Sequence, residues 1–303
     1  MQAPREDSAN RLAARNTKHP QGQTKPSSGE DRLPSGRENT DRHCTRDAGG
    51  DGLLDSKERF SKRVEYYAAY RPSYPVTLLT YLRDHLSLSQ QSVIADVGSG
   101  TGILTEMFLK NGNIVFGVEP NDEMRKVAVE RLSRYPKFRS VAGSAESTTL
   151  VSKSVDFITA GQSFHWFRPN ETKQEFRRVL RINGWVVLVW NTRKTEGPFL
   201  KEYEELVTWI SELRKNRVKH EDISDKAVGA FLGDYESTRL QTSQKLSLDG
   251  LIGRLMSASY CPLPGEELHS ELLAKATQMF ERYQRSGSVA LEYWTEVYAG
   301  QLD

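Results

Sequence analysis

The stretch Ile94-Ala95-Asp96-Val97-Gly98-Ser99-Gly100-Thr101-Gly102, IADVGSGTG, sets the reading of the whole chain. A short apolar run ends in an aspartate, and three glycines alternate directly after it. An apolar strand that opens through such a loop into a helix is the ligand-binding turn of an open α/β sheet. Glycine belongs there because the backbone must approach a ligand with no Cβ in the way. The dinucleotide fingerprint G-x-G-x-x-G places a third glycine at the sixth position, which here is Ile103. A P-loop fails outright, because no Gly-Lys-Ser/Thr follows. Asp96 is the second clue. A carboxylate just before the loop repels a pyrophosphate and suits a ligand that carries an ammonium group. S-adenosylmethionine is such a ligand, a cationic amino acid and sulfonium joined to adenosine without a phosphate. Glu119 lies 17 positions after Gly102 and ends the next apolar run. An acid there accepts ribose hydroxyls in nicotinamide enzymes and in methyl-donor enzymes alike, so it does not separate them.

Outward from the loop, strands and helices alternate. VIADV, IVFGV, FRSVAG, VDFITAG and GWVVLVWN read as five strands, most of them apolar on both faces. Amphipathic helices are expected between them, over Thr101–Lys110, after a cap at Asn121, and after a cap at Asn170. Strands buried on both faces and separated by helices mean a parallel sheet covered on both sides. Upstream, a short helix is expected before the Arg71-Pro72 and Tyr74-Pro75 breaks, with a longer one after Pro75. Downstream, Glu196 to about Lys215, LIGRLMSASY and ELLAKATQMFERYQ read as helices, while YESTRLQTSQKLS and VALEYWTEVYAG read as strands. The segment from Met1 to about Asp55 is polar, nearly free of aromatics and without periodicity, so disorder is expected there. A single α/β domain over 56–303 is the expectation, with a core over about 90–192 and further elements over about 193–303.

The successive segments ADVGSGTG, GVEPNDEM, GSAESTTLVSKSVDFITAGQSFHWF and RVLRINGWVVLVWN resemble the motifs of class I S-adenosylmethionine-dependent methyltransferases. More narrowly, with FSKRVEYYAAYRPSYP, LIGRLMSASY and WTEVYAG, the chain is similar to the type-11 small-molecule group that includes trans-aconitate methyltransferase-like proteins. The resemblance runs from about Phe60 to the C-terminus. It implies a Rossmann-like, doubly wound, mostly parallel seven-stranded sheet with an antiparallel last strand. It implies cofactor contacts at Asp96, Gly98, Ser99, Gly100, Thr101 and Gly102, and at Glu119 with Pro120 beside the ribose. Ala145 and Glu146 would flank the adenine, and Gln162 would sit near the methionine end. It also implies a helical lid over the site, carrying Tyr67, Tyr70 and Arg71.

Methyl transfer from a sulfonium is an in-line displacement that needs no metal and depends on alignment and water exclusion. The acceptor belongs beyond the carboxyl ends of the strands. His165 is the candidate base or orienting donor there, with a structural histidine as the alternative. Trp166 could line the transfer path or be plain core. Arg71 could pair with a carboxylate of cofactor or acceptor, or order the Arg-Pro turn. No Pro-Pro-aromatic segment follows the fourth strand, and neither Cys44 nor Cys261 lies near a motif. These features favour a small organic acceptor with a carboxylate, hydroxyl or amine nucleophile over a nucleic acid. The other two readings are an NAD(P)-dependent oxidoreductase and a non-catalytic S-adenosylmethionine-binding protein.

Composition sets the outer bounds. The 303 residues carry a formal net charge of +2, with 37% hydrophobic residues and a mean hydropathy of -0.61. This balance calls for neither nucleic acid nor an anionic membrane as partner. Two distant cysteines argue against a disulfide framework or zinc site, and no run has membrane-spanning length. A soluble cytoplasmic protein is expected.

Overall fold

In the computed structural model, the described residues are 64–214 and 224–302. The expected disordered tail and Cys44 lie outside them. Seven strands form one sheet in the order β3-β2-β1-β4-β5-β7-β6. They are β1 (Val93–Val97), β2 (Ile114–Glu119), β3 (Phe138–Ala142), β4 (Val155–Gly161), β5 (Leu180–Arg193), β6 (Glu236–Leu246) and β7 (Val289–Gly300). The first five pair in parallel, and β7 runs antiparallel between β5 and β6. The doubly wound sheet with an antiparallel last strand is therefore present. The order reverses beside β1, since β1 lies between β2 and β4, so the carboxyl end of β1 opens into the switch-point crevice.

The period of two along β5 explains the covering of both faces. Val186, Leu188 and Trp190 join one core cluster, while Val187 and Val189 join the other. Helices α1 (Val64–Tyr70), α2 (Thr77–Leu86), α3 (Ile103–Asn111) and α4 (Asp122–Leu132) precede β3. Leu78 and Leu82 of α2 and Leu104 and Phe108 of α3 fill the cluster containing Val187. On the opposite face, α5 (Pro169–Val179) contributes Phe176 and Val179, and α7 (Asp225–Leu232) contributes Val228 and Phe231. Helices α6 (Pro198–Leu213), α8 (Leu248–Met256) and α9 (His269–Tyr283) build a third cluster with the first residues of β7.

The caps show where local sequence acts. Asn121 accepts the amide of Met124 at 3.0 Å, as its position predicts. The cap expected at Asn170 is not formed. The helix starts at Pro169 behind Arg168, which has no side-chain cap, because proline is already suited to the first turn. The Arg168 amide instead reaches the Glu146 carboxylate at 2.9 Å. Helix α7 was not anticipated from the sequence. Its signal is Ser224, which accepts the Ala227 amide at 3.2 Å. Arg131 and Arg134 do more than complement a helix dipole: each bonds Glu106 of α3 at 2.7 Å.

Candidate functional site

The glycine loop leaves the carboxyl end of β1 and is tied back to β2. The amides of Gly98 and Ser99 donate to the Val118 carbonyl at 2.8 and 3.1 Å. Gly98, Gly100 and Gly102 adopt φ of 69°, 56° and 81°, the left-handed region in which glycine escapes the Cβ penalty. Their surroundings differ. A Cβ on Gly98 would lie 2.6 Å from that of Ser163, and one on Gly102 would lie 2.6 Å from Leu132 Cδ1. Two of the three glycines therefore allow the loop to pack against protein, which adds to the ligand-approach reason expected for them. Above Gly100, among the described residues, a Cβ would meet only Met124 Sδ, at an ordinary contact distance of 3.5 Å, so this glycine is the least crowded of the three. Ser99 turns its hydroxyl toward Gly117 of β2. Thr101 is buried, and its hydroxyl has no partner.

Asp96 and Glu119 are both buried at adjacent strand ends. The Asp96 carboxylate accepts the hydroxyls of Thr105 at 2.6 Å and Thr159 at 3.0 Å. Burial dominates and raises its pKa to about 6, although the two hydroxyls favour the anion. Glu119 accepts the amides of Gly100 and Asn121, each at 2.9 Å. Burial raises Glu119 as well, against those two bonds. A carboxylate has about four acceptor sites, so two backbone bonds leave Glu119 capacity for more. Pro120 follows, exposed at the rim.

After β3, Ala145 is buried in the core and Glu146 is engaged with Arg168, whose amide and nearby guanidinium hold its carboxyl below the usual range against burial. After β4, Gln162 adopts φ 56°, an uncommon conformation for a non-glycine residue. Two bonds hold it there: its amide donates to the Val189 carbonyl at 3.0 Å, and its Oε1 accepts the Asn191 amide at 2.7 Å. Ser163 bonds the Val97 carbonyl at 2.9 Å and so locks this turn to β1. The turn Phe164–Trp166 presents His165 and Trp166 on the surface. Their rings lie 4.6 Å apart, with Trp190 at 5.2 Å from the histidine.

Helix α1 packs on α8 and α4. Tyr70 is spent on this packing: its ring occupies the space a Cβ on Gly253 would need, 2.4 Å away. Tyr67 carries the Arg71 guanidinium over its ring at 4.8 Å. Arg71 donates to the Ser257 carbonyl at 3.1 Å, while its buried Nε has no partner. Tyr74 is a site residue that the sequence reading passed over as a turn position. Its hydroxyl would lie 2.5 Å from a Cβ on Gly161, at the end of β4. Burial, then the proximity of Tyr67 and Asp96, raises its phenol well above the ordinary value. The available signal was an aromatic residue directly before a proline, where the backbone is confined to extended conformations. Asn191 was missed too. It is buried at the end of β5 and accepts the Thr295 hydroxyl at 2.6 Å.

A phosphate-free cationic nucleoside suits this constellation: two buried carboxylates, an uncovered glycine, and no lysine in the loop. A pyrophosphate would meet Asp96 and Glu119 as like charges.

Comparison with known proteins agrees with the geometry. A family model described as a methyltransferase domain matches residues 95–188, from β1 to β5. An uncharacterized methyltransferase of Schizosaccharomyces pombe is 30% identical over 253 residues, covering 80% of this chain and 96% of that protein. An uncharacterized methyltransferase of Mycobacterium bovis is 28% identical over 244 residues, covering 80% of this chain and 94% of its own. A solved structure from Anaeromyxobacter dehalogenans, provisionally described as a type II methyltransferase, has the same fold. It superposes with a TM-score of 0.59 at 21% identity, over 77% of this chain and 98% of that one.

Proposed function

Because this chain belongs to the S-adenosylmethionine-dependent methyltransferases, we propose that it methylates a small organic acceptor held beyond the carboxyl ends of β4 and β5. The observation that carries this reading is Tyr74, partly buried against Gly161 and within the electrostatic reach of Asp96. A tyrosine packed this closely on the end of β4 favours a small acceptor over a polymer, and alkyl transfer depends more on excluding water than on a proton-transfer group.

The proposed roles follow the geometry. Asp96 holds the ammonium group of the cofactor, and Glu119 accepts its ribose hydroxyls. Gly100 leaves the space between them clear. Ala145 and Glu146 border the adenine, while Gln162 fixes the turn after β4 beside the methionine end. When bound, the cofactor supplies an electrophilic methyl group on a sulfonium. The protein contributes position: the β4 turn is locked by Ser163 and Gln162, and α1 is locked on α8 by Tyr70.

Incubation of the full chain with methyl-labelled cofactor and cell extract tests the acceptor class. Label should appear in the low-molecular-weight fraction. Label confined to protein or nucleic acid would overturn the small-molecule reading.

A further inference from the structure

Beside the proposed cofactor site lies a group of cations, one buried and two half-buried, that the methyl-donor chemistry does not use. Arg254 of α8 is only 3% exposed. Its Nε faces the Tyr293 hydroxyl at 3.4 Å, and its Nη1 faces the Ser257 hydroxyl at 3.2 Å. Arg71 meets the same residue through the Ser257 carbonyl. Neither guanidinium has a carboxylate partner among the described residues. Arg193, at the end of β5, is paired with Glu204 at 2.9 Å and lies over the Tyr203 ring at 5.4 Å. The set therefore holds three guanidinium groups and one paired carboxylate.

Tyrosines fill the space between them. Tyr203 is 1% exposed, and its hydroxyl has no partner. Arg254, Tyr260, Arg193 and Tyr293 all surround it closely enough to affect its charge. Tyr260 is in turn reached by Arg193, Arg254 and Arg71. Burial raises the phenols of Tyr203 and Tyr260, so both keep their protons at neutral pH and supply no negative charge.

A buried Arg254 and a half-buried Arg71 without a carboxylate partner among the described residues, beside the buried, unpartnered Arg71 Nε–H and Tyr203 hydroxyl, carry an uncompensated desolvation cost. A planar or tetrahedral oxyanion removes it, because guanidinium forks and phenol hydroxyls are its natural donors. The location gives the anion a purpose. Arg71 stands three residues before Tyr74, whose hydroxyl would lie 2.5 Å from a Cβ on Gly161 at the end of β4, so the cluster adjoins the turn that follows β4.

We propose that the methyl acceptor carries an oxyanion, a carboxylate or a phosphate, which is bound between Arg71 and Arg254 with the Tyr203 hydroxyl as a further donor. This rests on the methyltransferase reading of the adjoining site. Arg71, Arg254 and Tyr203 are positioning residues for the acceptor and not for the cofactor.

Calorimetry on the full chain saturated with S-adenosylhomocysteine tests it, with succinate and inorganic phosphate as probes at constant ionic strength. Saturable binding of succinate identifies a carboxylate, and tighter binding of phosphate identifies a phosphate ester. Arg71→Gln and Arg254→Gln should weaken that anion at least about tenfold. Tyr203→Phe should weaken it about threefold or more. All three should leave S-adenosylhomocysteine affinity within about twofold, since no cofactor contact is removed. Tyr203→Phe deletes a hydroxyl that has no hydrogen-bond partner among the described residues, so it keeps the test valid if Arg254→Gln fails to fold. The proposal is overturned if neither anion saturates the complex, or if Arg71→Gln and Tyr203→Phe leave anion affinity unchanged. It is also overturned if these substitutions weaken S-adenosylhomocysteine itself, which would assign the cluster to the cofactor. Failure of the wild-type chain to bind S-adenosylhomocysteine would instead remove the methyltransferase reading beneath it.

Discussion

At the scale of single residues, Asp96 trades stability for binding. Its pKa stands at about 6 against the ordinary 3.8, a difference worth about 3 kcal/mol against the ionised form. Between those two values the folded protein binds the proton that the unfolded chain releases. The resulting stability is complete below the lower value and lost as pH rises through the upper one. Asp96→Asn should therefore stabilise the ligand-free protein by about 2 kcal/mol at pH 7 and by little at pH 4, as urea denaturation at the two pH values will report. The same change should abolish cofactor binding. In the wild type, an ammonium group beside Asp96 favours the carboxylate, so S-adenosylhomocysteine affinity should rise with pH through about 6 and binding should release a proton. A pH-independent affinity would detach Asp96 from the ammonium. His165 is exposed and packed against Trp166 and Trp190. His165→Gln should then change kcat by less than about threefold, whereas a loss of about 100-fold with a displaced acidic limb would make it the base.

At the scale of elements, the glycines of the loop are separable by what they touch. Gly98→Ala meets both a left-handed φ and the Ser163 Cβ, which is fixed by its own bond to β1. Its cost should be about 2 kcal/mol or more in thermal or chemical unfolding. Gly102→Ala meets the flexible end of Leu132 and should cost less; equal costs would mean that φ alone decides. The junction of α1 with α8 depends on Gly253, where any Cβ displaces the Tyr70 ring. Gly253→Ala should loosen α1, raise proteolytic sensitivity near Tyr70 and raise the acceptor KM with cofactor affinity little changed. An unaltered KM would remove α1 from the acceptor side. These contacts mark the limit of what the sequence made legible. Strands β1 to β5 follow from apolar runs, and the Asn121 cap from its side chain. The false cap at Asn170 came from weighing a side-chain oxygen above Pro169, which already opens the helix. The roles of Gly98 and Tyr74 depend on partners 65 or more residues away in sequence, Ser163 and Gly161, which no local pattern encodes.

At the scale of the molecule, the α/β class and the methyl-donor family were both legible, from IADVGSGTG with its Asp96 together with the successive motifs that follow it. The arginine cluster was legible only in Arg71, a candidate partner for a carboxylate; Arg193 at the end of β5 and Arg254 on α8 carry no local signal that joins them to it. Among the described residues, no helix is long and apolar enough to cross a membrane. The glycine loop follows β1, the Gln162 turn follows β4 and Arg193 ends β5, so three neighbouring strands carry the proposed cofactor and acceptor sites. Ligand that binds only the folded state raises the unfolding temperature by mass action, which makes the central claim directly measurable. Titration calorimetry of S-adenosylhomocysteine into the full chain should give a single micromolar site, lost in both Asp96→Ala and Glu119→Ala. Binding of NAD without S-adenosylhomocysteine, or S-adenosylhomocysteine binding unchanged in both variants, would contradict the account.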